Sequence, residues 1–449
     1  IELDIEKVPQ REAGITPYEI MLSESQERML LIVEPQNFDL IQSIFYKWDL
    51  DAAIIGRVTE DKMLRVRMDG EVLAEIPAET LVLGGSAPVY TRETKIPEYI
   101  GKAKQFDPAS LPEPDSYQEA LLKLMAEPNI ASKREVYRQY DHMVLVGTIV
   151  EPGSDAAVVK IEGTEKAIAL ATDCNARHCY LDPFEGTKAA VVEAARNVAC
   201  SGARPVAITN CLNFGNPYKP EVYWTFAEAI RGMSAACVAL ETPVTGGNVS
   251  FYNESPKAAV WPTPVIGMLG LIEDARRINN QFFKQTGDLI ALLGKPCCST
   301  GASQYLQTMH GLVSGQVPKI DLDKEKRLIN LILLLQEKGL INSAHDVSEG
   351  GLLVAVAESC FKTDPLGVEL DFELGCRPSC EYFGESGGRI VVSFNQDKQN
   401  EIEALCALHD TPVSLLGVVK DSGAFKVNDH IDLPVHSLMN AWEQALTIN

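Results

Sequence analysis

The chain has 449 residues, 46% of them hydrophobic and 23% charged, so it is long enough for two or three globular domains. Its 40 Lys and Arg residues against 62 Asp and Glu give a net charge of -22, which argues against nucleic acid or an anionic membrane as the main partner. The longest apolar runs are too short to cross a bilayer. The 11 cysteines follow neither a disulfide framework nor a zinc spacing, so we expect a cytoplasmic protein.

The first region, residues 1–95, reads as part of an α/β domain. The chain opens on alternating apolar residues typical of a strand, and we therefore expect that it begins inside a longer protein. The predicted elements are strands near 1–5, 29–33, 52–58, 63–68 and 72–76 and a helix near 37–48.

The second region, residues 96–142, is rich in proline and polar side chains and is predicted to be a linker. It contains one amphipathic helix, Tyr117–Met125, with apolar residues on one face.

Two further α/β domains are predicted over residues 143–277 and 278–449, so the fold class is mixed α/β. In the first, a helix follows Gly186 and stops at Gly202, a second runs over 221–240, and 264–272 reads as a buried strand. In the second, strands are predicted near 288–293, 389–394 and 413–419, and helices near 323–338, 348–361, 398–409 and 435–446.

The chain has no Walker A motif and no dinucleotide-binding glycine motif, so a nucleotide would have to bind in another way. The candidate binding residues lie in three polar segments of residues 143–277. The segments are 171–188, with Asp173 and Asn175, then 209–217, and then 243–253. Each has Asp or Asn where a strand ends, and oxygen ligands on converging loops suit Mg²⁺ with bound phosphates. Strand termination and helix capping are the alternative explanation.

Three motifs each leave two interpretations open. The P-V-T-G-G-N-V-S-F-Y-N stretch at 243–253 is either a hairpin turn or a loop that holds an anion or a metal-bound phosphate. The L-S-E-S-Q-E-R-M stretch at 22–29 is either a surface loop or a substrate contact through Glu24, Ser25 and Gln26. The A-H-D-V-S-E-G-G stretch at 344–351 is either a loop that ends in the helix cap Ser348 or a segment in which Asp346 binds a ligand.

Six segments together resemble the phosphoribosylformylglycinamidine synthase family, in particular its small bacterial synthetase subunit. They are S-E-S-Q-E-R-M-L, T-D-C-N followed by Y-L-D-P-F-E-G-T-K, C-L-N-F-G-N-P, T-G-G-N-V-S-F-Y-N, P-T-P-V-I-G-M-L-G and A-H-D-V-S-E-G-G. The resemblance runs over essentially the whole chain and is most specific from 143 to 274.

The resemblance implies the aminoimidazole ribonucleotide synthetase-like fold, a pseudo-dimer with domains in the order A, B, A, B. Residues 1–95 would be the C-terminal part of the first B domain, 143–277 the second A domain and 278–449 the second B domain. The first A domain would be absent.

The resemblance also implies a reaction: ATP-dependent amidation of formylglycinamide ribonucleotide to formylglycinamidine ribonucleotide in purine biosynthesis, through an iminophosphate. Mg²⁺ would assist, and ammonia would come from a separate glutaminase subunit joined by a small bridging subunit.

By the same resemblance, Asn248 is a Mg²⁺ ligand and Gly247 contacts ATP through its carbonyl. Ser250 contacts the ribonucleotide together with the loop Glu24, Ser25 and Gln26. Asn210 stands where the family usually carries an ATP-contacting Asp, so its lost charge leaves its nucleotide affinity open.

Asp173 and Asn175 are candidates for a second, non-catalytic nucleotide site. The family's catalytic histidines would lie in the absent N-terminal part, so no catalytic base is assigned and the chain alone is expected to be inactive. The alternatives are another ATP enzyme of the superfamily and a non-catalytic half that binds nucleotide for structural reasons.

Overall fold

The computed structural model describes residues 1–10, 12–24, 28–82, 84–87, 89–362 and 364–446. The chain divides into two compact units, Ile1–Thr91 and Arg92–Asn449, and each is described by itself. In the described part of the chain, no helix combines the length and the apolar character that a membrane span requires.

The first unit is built on a four-stranded sheet in the order β2-β1-β3-β4, in which β1 runs parallel to β3 and antiparallel to β2. A small core of Ile5, Ile20 and Val66 lies beside it. Its elements are β1 (Glu2–Asp4), α1 (Pro17–Leu22), α2 (Phe38–Lys47), β2 (Gly56–Arg57), β3 (Met63–Met68) and β4 (Glu71–Pro77).

Two predicted strands of the first unit differ from the structure. The segment 29–33 contains no strand and is largely exposed, with Met29 at 82% and Ile32 at 77%, so that prediction is wrong. A strand needs a neighbour for its backbone hydrogen bonds, and 29–33 pairs with no strand of this four-stranded sheet. The strand predicted over 52–58 is reduced to Gly56–Arg57.

The second unit begins with three helices: α3 (Glu98–Lys104), α4 (Tyr117–Met125) and α5 (Arg134–Tyr137). Helix α4 has the predicted bounds and starts at the N-cap Ser116, whose side chain accepts a hydrogen bond from the Glu119 amide. Its buried Leu121, Leu124 and Met125 join the core of the C-terminal sheet, so this part of the predicted linker is packed structure.

A six-stranded sheet follows, in the order β5-β6-β7-β10-β8-β9. Strands β8 and β9 are parallel because the long helix α8 connects them, whereas the other pairs are antiparallel. The elements are β5 (Thr148–Val150), β6 (Ala157–Lys160), β7 (Ala167–Asp173), α6 (Ala176–Leu181), α7 (Pro183–Cys200), β8 (Arg204–Asn213), α8 (Pro220–Leu240), β9 (Val244–Ser250) and β10 (Thr263–Ile272).

Helix α7 is buried over most of its surface because small apolar residues surround its axis. Helix α8 packs tightly against it at Gly232, where a β-carbon would lie 2.1 Å from the Phe184 carbonyl oxygen. Only glycine permits this approach of the two helix backbones.

A seven-stranded sheet closes the unit, in the order β12-β14-β11-β15-β13-β16-β17. The predicted strands and helices of this region are present, with ends shifted by up to four residues. The elements are β11 (Leu289–Leu293), α9 (Gln304–His310), α10 (Leu322–Glu337), β12 (Ser343–Asp346), α11 (Leu352–Ser359), β13 (Gly367–Leu370), α12 (Pro378–Phe383), β14 (Ile390–Phe394), α13 (Gln399–Leu408), β15 (Val413–Lys420), β16 (Ala424–Val427), β17 (Ile431–Pro434) and α14 (Val435–Gln444).

One hydrophobic core joins the two sheets of the second unit. Ile266 and Met268 of β10 and Val392 and Phe394 of β14 belong to the same cluster, with α7 and α10 between them. Polar residues on α7 are therefore placed between a strand end of the six-stranded sheet and β12 of the other.

Candidate functional site

Four predicted site residues meet on two adjacent strands, β8 and β9. The parallel register pairs Asn210 with Gly247 and Asn213 with Ser250, and Asn248 lies between the two pairs. Asn210, Gly247, Asn248 and Ser250, named here the edge site, thus lie at one corner of the six-stranded sheet.

The four residues of the edge site are divided between the two faces of the sheet. The Asn248 Nδ2 donates to the Ser250 Oγ over 2.9 Å, which leaves the Asn248 Oδ1 as an acceptor facing outward. Asn210 is in register with Gly247 and projects to the opposite face, where its Nδ2 lies 3.5 Å from the Met233 Sδ on α8.

The Gly246–Gly247 pair lies inside strand β9, so the hairpin-turn interpretation of 243–253 is wrong. Pairing with β8 overrides the weak strand preference of glycine. A β-carbon on Gly247 would lie 2.2 Å from the Asn210 Oδ1 and 2.9 Å from the Asn210 carbonyl oxygen, so a larger residue here would displace the Asn210 side chain. Strand β9 is exposed and ends its sheet in the described residues, so one side of its backbone can reach a ligand.

Asp173 and Asn175 lie at the end of β7, and only Asp173 faces other acidic groups. Asn175 is the N-cap of α6, and its side chain accepts a hydrogen bond from the His178 amide over 3.0 Å. The capping interpretation is therefore confirmed for Asn175. The Asp173 Oδ2 accepts a 3.3 Å hydrogen bond from the Asn197 Nδ2 of α7.

Asp173, Glu193, Asp346 and Glu349 form a cluster that we name the acidic cleft. Burial, followed by the negative charges of Glu193, Glu349 and Asp346, raises the pKa of Asp173 well above its usual value. Burial and the charges of Glu349 and Asp346 likewise raise the pKa of Glu193. Burial raises the pKa of Glu349 as well.

The nearby cation Arg196 is already committed to other carboxylates. Its guanidinium binds Asp346 through two hydrogen bonds, of 2.5 and 3.2 Å, and Glu325 through one of 2.8 Å. Asp346 is thus held by an ion pair, whereas Asp173 and Glu193 form no ion pair with any residue that the structure describes. The excess of negative charge in a buried place favours protonation or an added cation.

The cavity beside the acidic cleft measures about 20 Å³ and is lined by Glu193, Arg196 and Glu349 among others. This volume holds a water molecule or a bare ion, and a nucleotide requires the cleft to open. Within the ranges that the structure covers, no three acidic, Cys or His side chains converge closely enough to bind a metal ion as they stand.

Sequence reasoning missed Glu193, Arg196 and Asn197, which place polar groups of α7 in the cleft. The available signal was E-A-A-R-N at 193–197, a polar group in an otherwise apolar helix, since a charge in a buried stripe needs a partner. It also missed His178 and Glu385. The His178 Nε2 lies 3.6 Å from the Glu385 Oε2, and burial lowers the pKa of His178 to about 4, so this imidazole is neutral at pH 7.

The predicted substrate loop belongs to the first unit. Glu24 is exposed, and Ser25 and Gln26 lie outside the described residues.

Two family profiles match the chain. The one described as "AIR synthase related protein, N-terminal domain" matches residues 153–272. The one described as "AIR synthase related protein, C-terminal domain" matches twice, at residues 1–69 and 285–430. Together the matches take in most of both sheets of the second unit and most of the first unit.

Curated relatives named phosphoribosylformylglycinamidine synthase subunit PurL match nearly the whole chain. The protein of Caldanaerobacter subterraneus subsp. tengcongensis is 46% identical over 445 residues, which is 98% of this chain and 60% of the relative. The Moorella thermoacetica protein is 46% identical over 455 residues, 100% of this chain and 61% of the relative. The chain thus spans about 60% of the length of these relatives.

Solved structures of Thermotoga maritima PurL have a similar fold. The complex with AMPPCP superposes with a TM-score of 0.63 at 27% identity, over 93% of this chain and 60% of that chain. The complex with FGAR superposes with a TM-score of 0.60 at 26% identity, over 93% of this chain and 57% of that chain. The structure of PurLQS from the same organism gives 0.61 at 26% identity, over 93% and 59%.

Proposed function

Because the chain belongs to the AIR synthase-related family and, within it, to the PurL subunits of phosphoribosylformylglycinamidine synthase, we propose that it takes part in the amidation of formylglycinamide ribonucleotide. The proposed activity is that of an ATP-dependent carbon–nitrogen ligase of purine biosynthesis. The observation that carries it is the β8–β9 register, which supports a ligand site at Gly247, Asn248 and Ser250 on the exposed strand β9, with Asn210 beside Gly247 on the opposite face from Asn248.

The proposed reaction has two steps. The γ-phosphoryl group of ATP passes to the amide oxygen of the substrate, which forms an iminophosphate and ADP. Ammonia then attacks the carbon that bears this oxygen. Phosphate leaves with the former amide oxygen, and the amidine remains. The first step requires that the phosphoryl group be held in line and its charge neutralised.

The edge site offers the groups that this step needs. Strand β9 is exposed, so the Gly247 carbonyl can approach the nucleotide without a side chain in the way. Ser250 has a hydroxyl for the ribonucleotide, and its hydrogen bond to Asn248 orients both side chains. Asn210 projects to the other face of the sheet, towards Met233 of α8, and its proposed contact with ATP rests on the family match alone.

The Asn248 Oδ1 is a hard, neutral oxygen that fits Mg²⁺, provided that phosphate oxygens complete the coordination. Bound there, Mg²⁺ would neutralise charge on the transferring phosphoryl group. The hydrogen bond from the Asn248 Nδ2 to Ser250 turns the Oδ1 away from the serine.

We propose a second, non-catalytic nucleotide site at the acidic cleft, next to Asp173 and Asn175. Burial and mutual repulsion keep the carboxyl groups of Asp173 and Glu193 protonated more readily than usual, and a cation that accompanies phosphate would bind them as carboxylates and displace their protons into solvent. Asn175 would contribute to nucleotide binding at this second site from its position as the N-cap of α6.

The remaining assignments concern substrate and partners. We propose that Glu24, Ser25 and Gln26 contact formylglycinamide ribonucleotide, as we propose for Ser250. A glutaminase subunit and a small bridging subunit would supply ammonia, and the likeness to the Thermotoga maritima PurLQS structure supports such partners. A cytoplasmic location agrees with the 11 free thiols. No catalytic base is assigned to residues 1–449, and we expect those groups in the part of the relatives that the chain does not match.

The test is calorimetric titration of the chain with Mg-ATP, with and without formylglycinamide ribonucleotide. Two nucleotides should bind, and Asn248→Ala should remove one and Asp173→Asn the other. Asn400→Ala, an exposed amide on α13, is the matched control and should retain both. Unchanged binding in Asn248→Ala would exclude the edge site as the place where ATP is held.

A further inference from the structure

Three aromatic rings form a continuous stack at the corner of the six-stranded sheet that contains the edge site. The rings of Tyr99 on α3 and Tyr180 on α6 are parallel within 6°, with centroids 4.2 Å apart. Trp261, just before β10, covers the other side of Tyr180 at 4.8 Å and 20°. The stack therefore ends on the tryptophan.

The two tyrosines have an evident packing role, because they join α3 to the sheet region together with the Lys104–Asp182 ion pair. Trp261 does not share that role fully. Its side chain remains 38% exposed, and neither an aromatic ring other than Tyr180 nor a cation packs on it among the described residues. An indole held rigidly by one face and open to solvent is suited to stacking on a planar ligand.

The strand register brings the start of β10, two residues after Trp261, close to the edge site. Thr263 pairs with Asn213, and Asn213 pairs with Ser250, so Thr263 and Ser250 are two strand spacings, about 10 Å, apart. Trp261 precedes Thr263 by two residues, and its carbonyl accepts a hydrogen bond from the Thr263 Oγ1 over 2.8 Å. A nucleoside triphosphate bridges such a distance between its base and its terminal phosphate.

We propose that Trp261 is the base-stacking residue of the edge site and that it receives the adenine ring of a nucleotide whose phosphates lie near Asn248. This inference rests on the proposed function, since it adds a base contact to the same nucleotide. Tyr180 and Tyr99 are positioning residues, because they hold the indole plane and do not touch the ligand. Stacking on an aromatic face selects for a planar base and is indifferent to phosphate.

The experiment compares Trp261→Leu and Trp261→Phe with the wild-type chain, by calorimetry with Mg²⁺ and either ATP or inorganic tripolyphosphate. Trp261→Leu should bind ATP roughly 5- to 100-fold more weakly and tripolyphosphate unchanged, because only the base contact is lost. Trp261→Phe should keep an intermediate ATP affinity. Trp48→Leu, an exposed tryptophan at the C-terminal end of α2, is the control and should match wild type.

The outcomes separate the stacking role from the proposed function. Equal ATP affinity in Trp261→Leu and wild type overturns the stacking role, as does an equal loss for ATP and tripolyphosphate, which would indicate a distorted site. In an Asn248→Ala background, Trp261→Leu should cause no further loss of ATP affinity; a further loss would assign the ring to a different site. If the wild-type chain binds neither probe, the proposed function itself fails, and the stacking role with it.

Discussion

Replacing Arg196 by Met should be among the most damaging single substitutions in the second unit. The guanidinium is 1% exposed and forms three hydrogen bonds, with Asp346 and Glu325, so its loss leaves two buried carboxylates without a counter-charge. Removing one partner of a buried ion pair costs about 3–5 kcal/mol. At roughly 2.1 cal/mol/K of unfolding entropy per residue, this unit would melt about 4–7 °C lower.

Arg276→Met is the matched control, because the Arg276 ion pair with Asp274 is on the surface, where solvent screens it and its loss should change stability little. Urea titration at pH 7 followed by circular dichroism measures both variants. The triple variant Arg196→Met, Glu325→Gln and Asp346→Asn should recover a large part of the loss, since the stranded charges are gone. A loss for Arg196→Met as small as that of Arg276→Met would refute the reasoning.

Two further substitutions test burial and packing. The buried His178 has a pKa of about 4, whereas its pKa in the unfolded chain is about 6.5. The unfolded state therefore takes up a proton first as the pH falls, and the stability of the folded state decreases from pH 6.5 towards pH 4. His178→Gln should remove up to about 3 kcal/mol of this acid-dependent loss, measured by urea titration at pH 7 and pH 4. His436→Gln, at an exposed position, is the control, and an equal change in unfolding free energy between the two pH values for both variants would contradict the assignment. Gly232→Ala should destabilise the unit by about 1–3 kcal/mol, because the new β-carbon meets the Phe184 carbonyl. Gly101→Ala, at a position with open space around it, should not destabilise the unit. Equal urea midpoints for the two variants would contradict the clash.

Elements with strong local signals could be predicted from the sequence. Tyr117–Met125 and Met63–Met68 have the predicted bounds, because a cap or an alternating pattern marks where they begin and end. The closeness of Asn210, Gly247 and Asn248 was predictable only in part, because their segments were expected as converging loops at strand ends, whereas the residues lie inside the paired strands β8 and β9.

Features that depend on distant parts of the chain could not be predicted from local pattern. Two glycines in β9 indicate a turn until β8 is known to pair with them. The acidic cleft needs α7 between two sheets, and nothing near Glu193 in the sequence points to Glu349 or Asp346. The stack of Tyr99, Tyr180 and Trp261 joins three segments whose spacing follows no repeat.

The hydrophobic core around helix α7 is completed by residues that are synthesised long after the helix itself. Its apolar surface is covered on one side by β10 and α8, and on the other by α10 and β12, whose residues belong to the same core. During synthesis, the six-stranded sheet would emerge from the ribosome with that second side of α7 exposed, and it could not complete its core until β12 was released. The six-stranded sheet thus depends on the C-terminal sheet for folding, and we expect the nascent chain to need protection from aggregation over that interval.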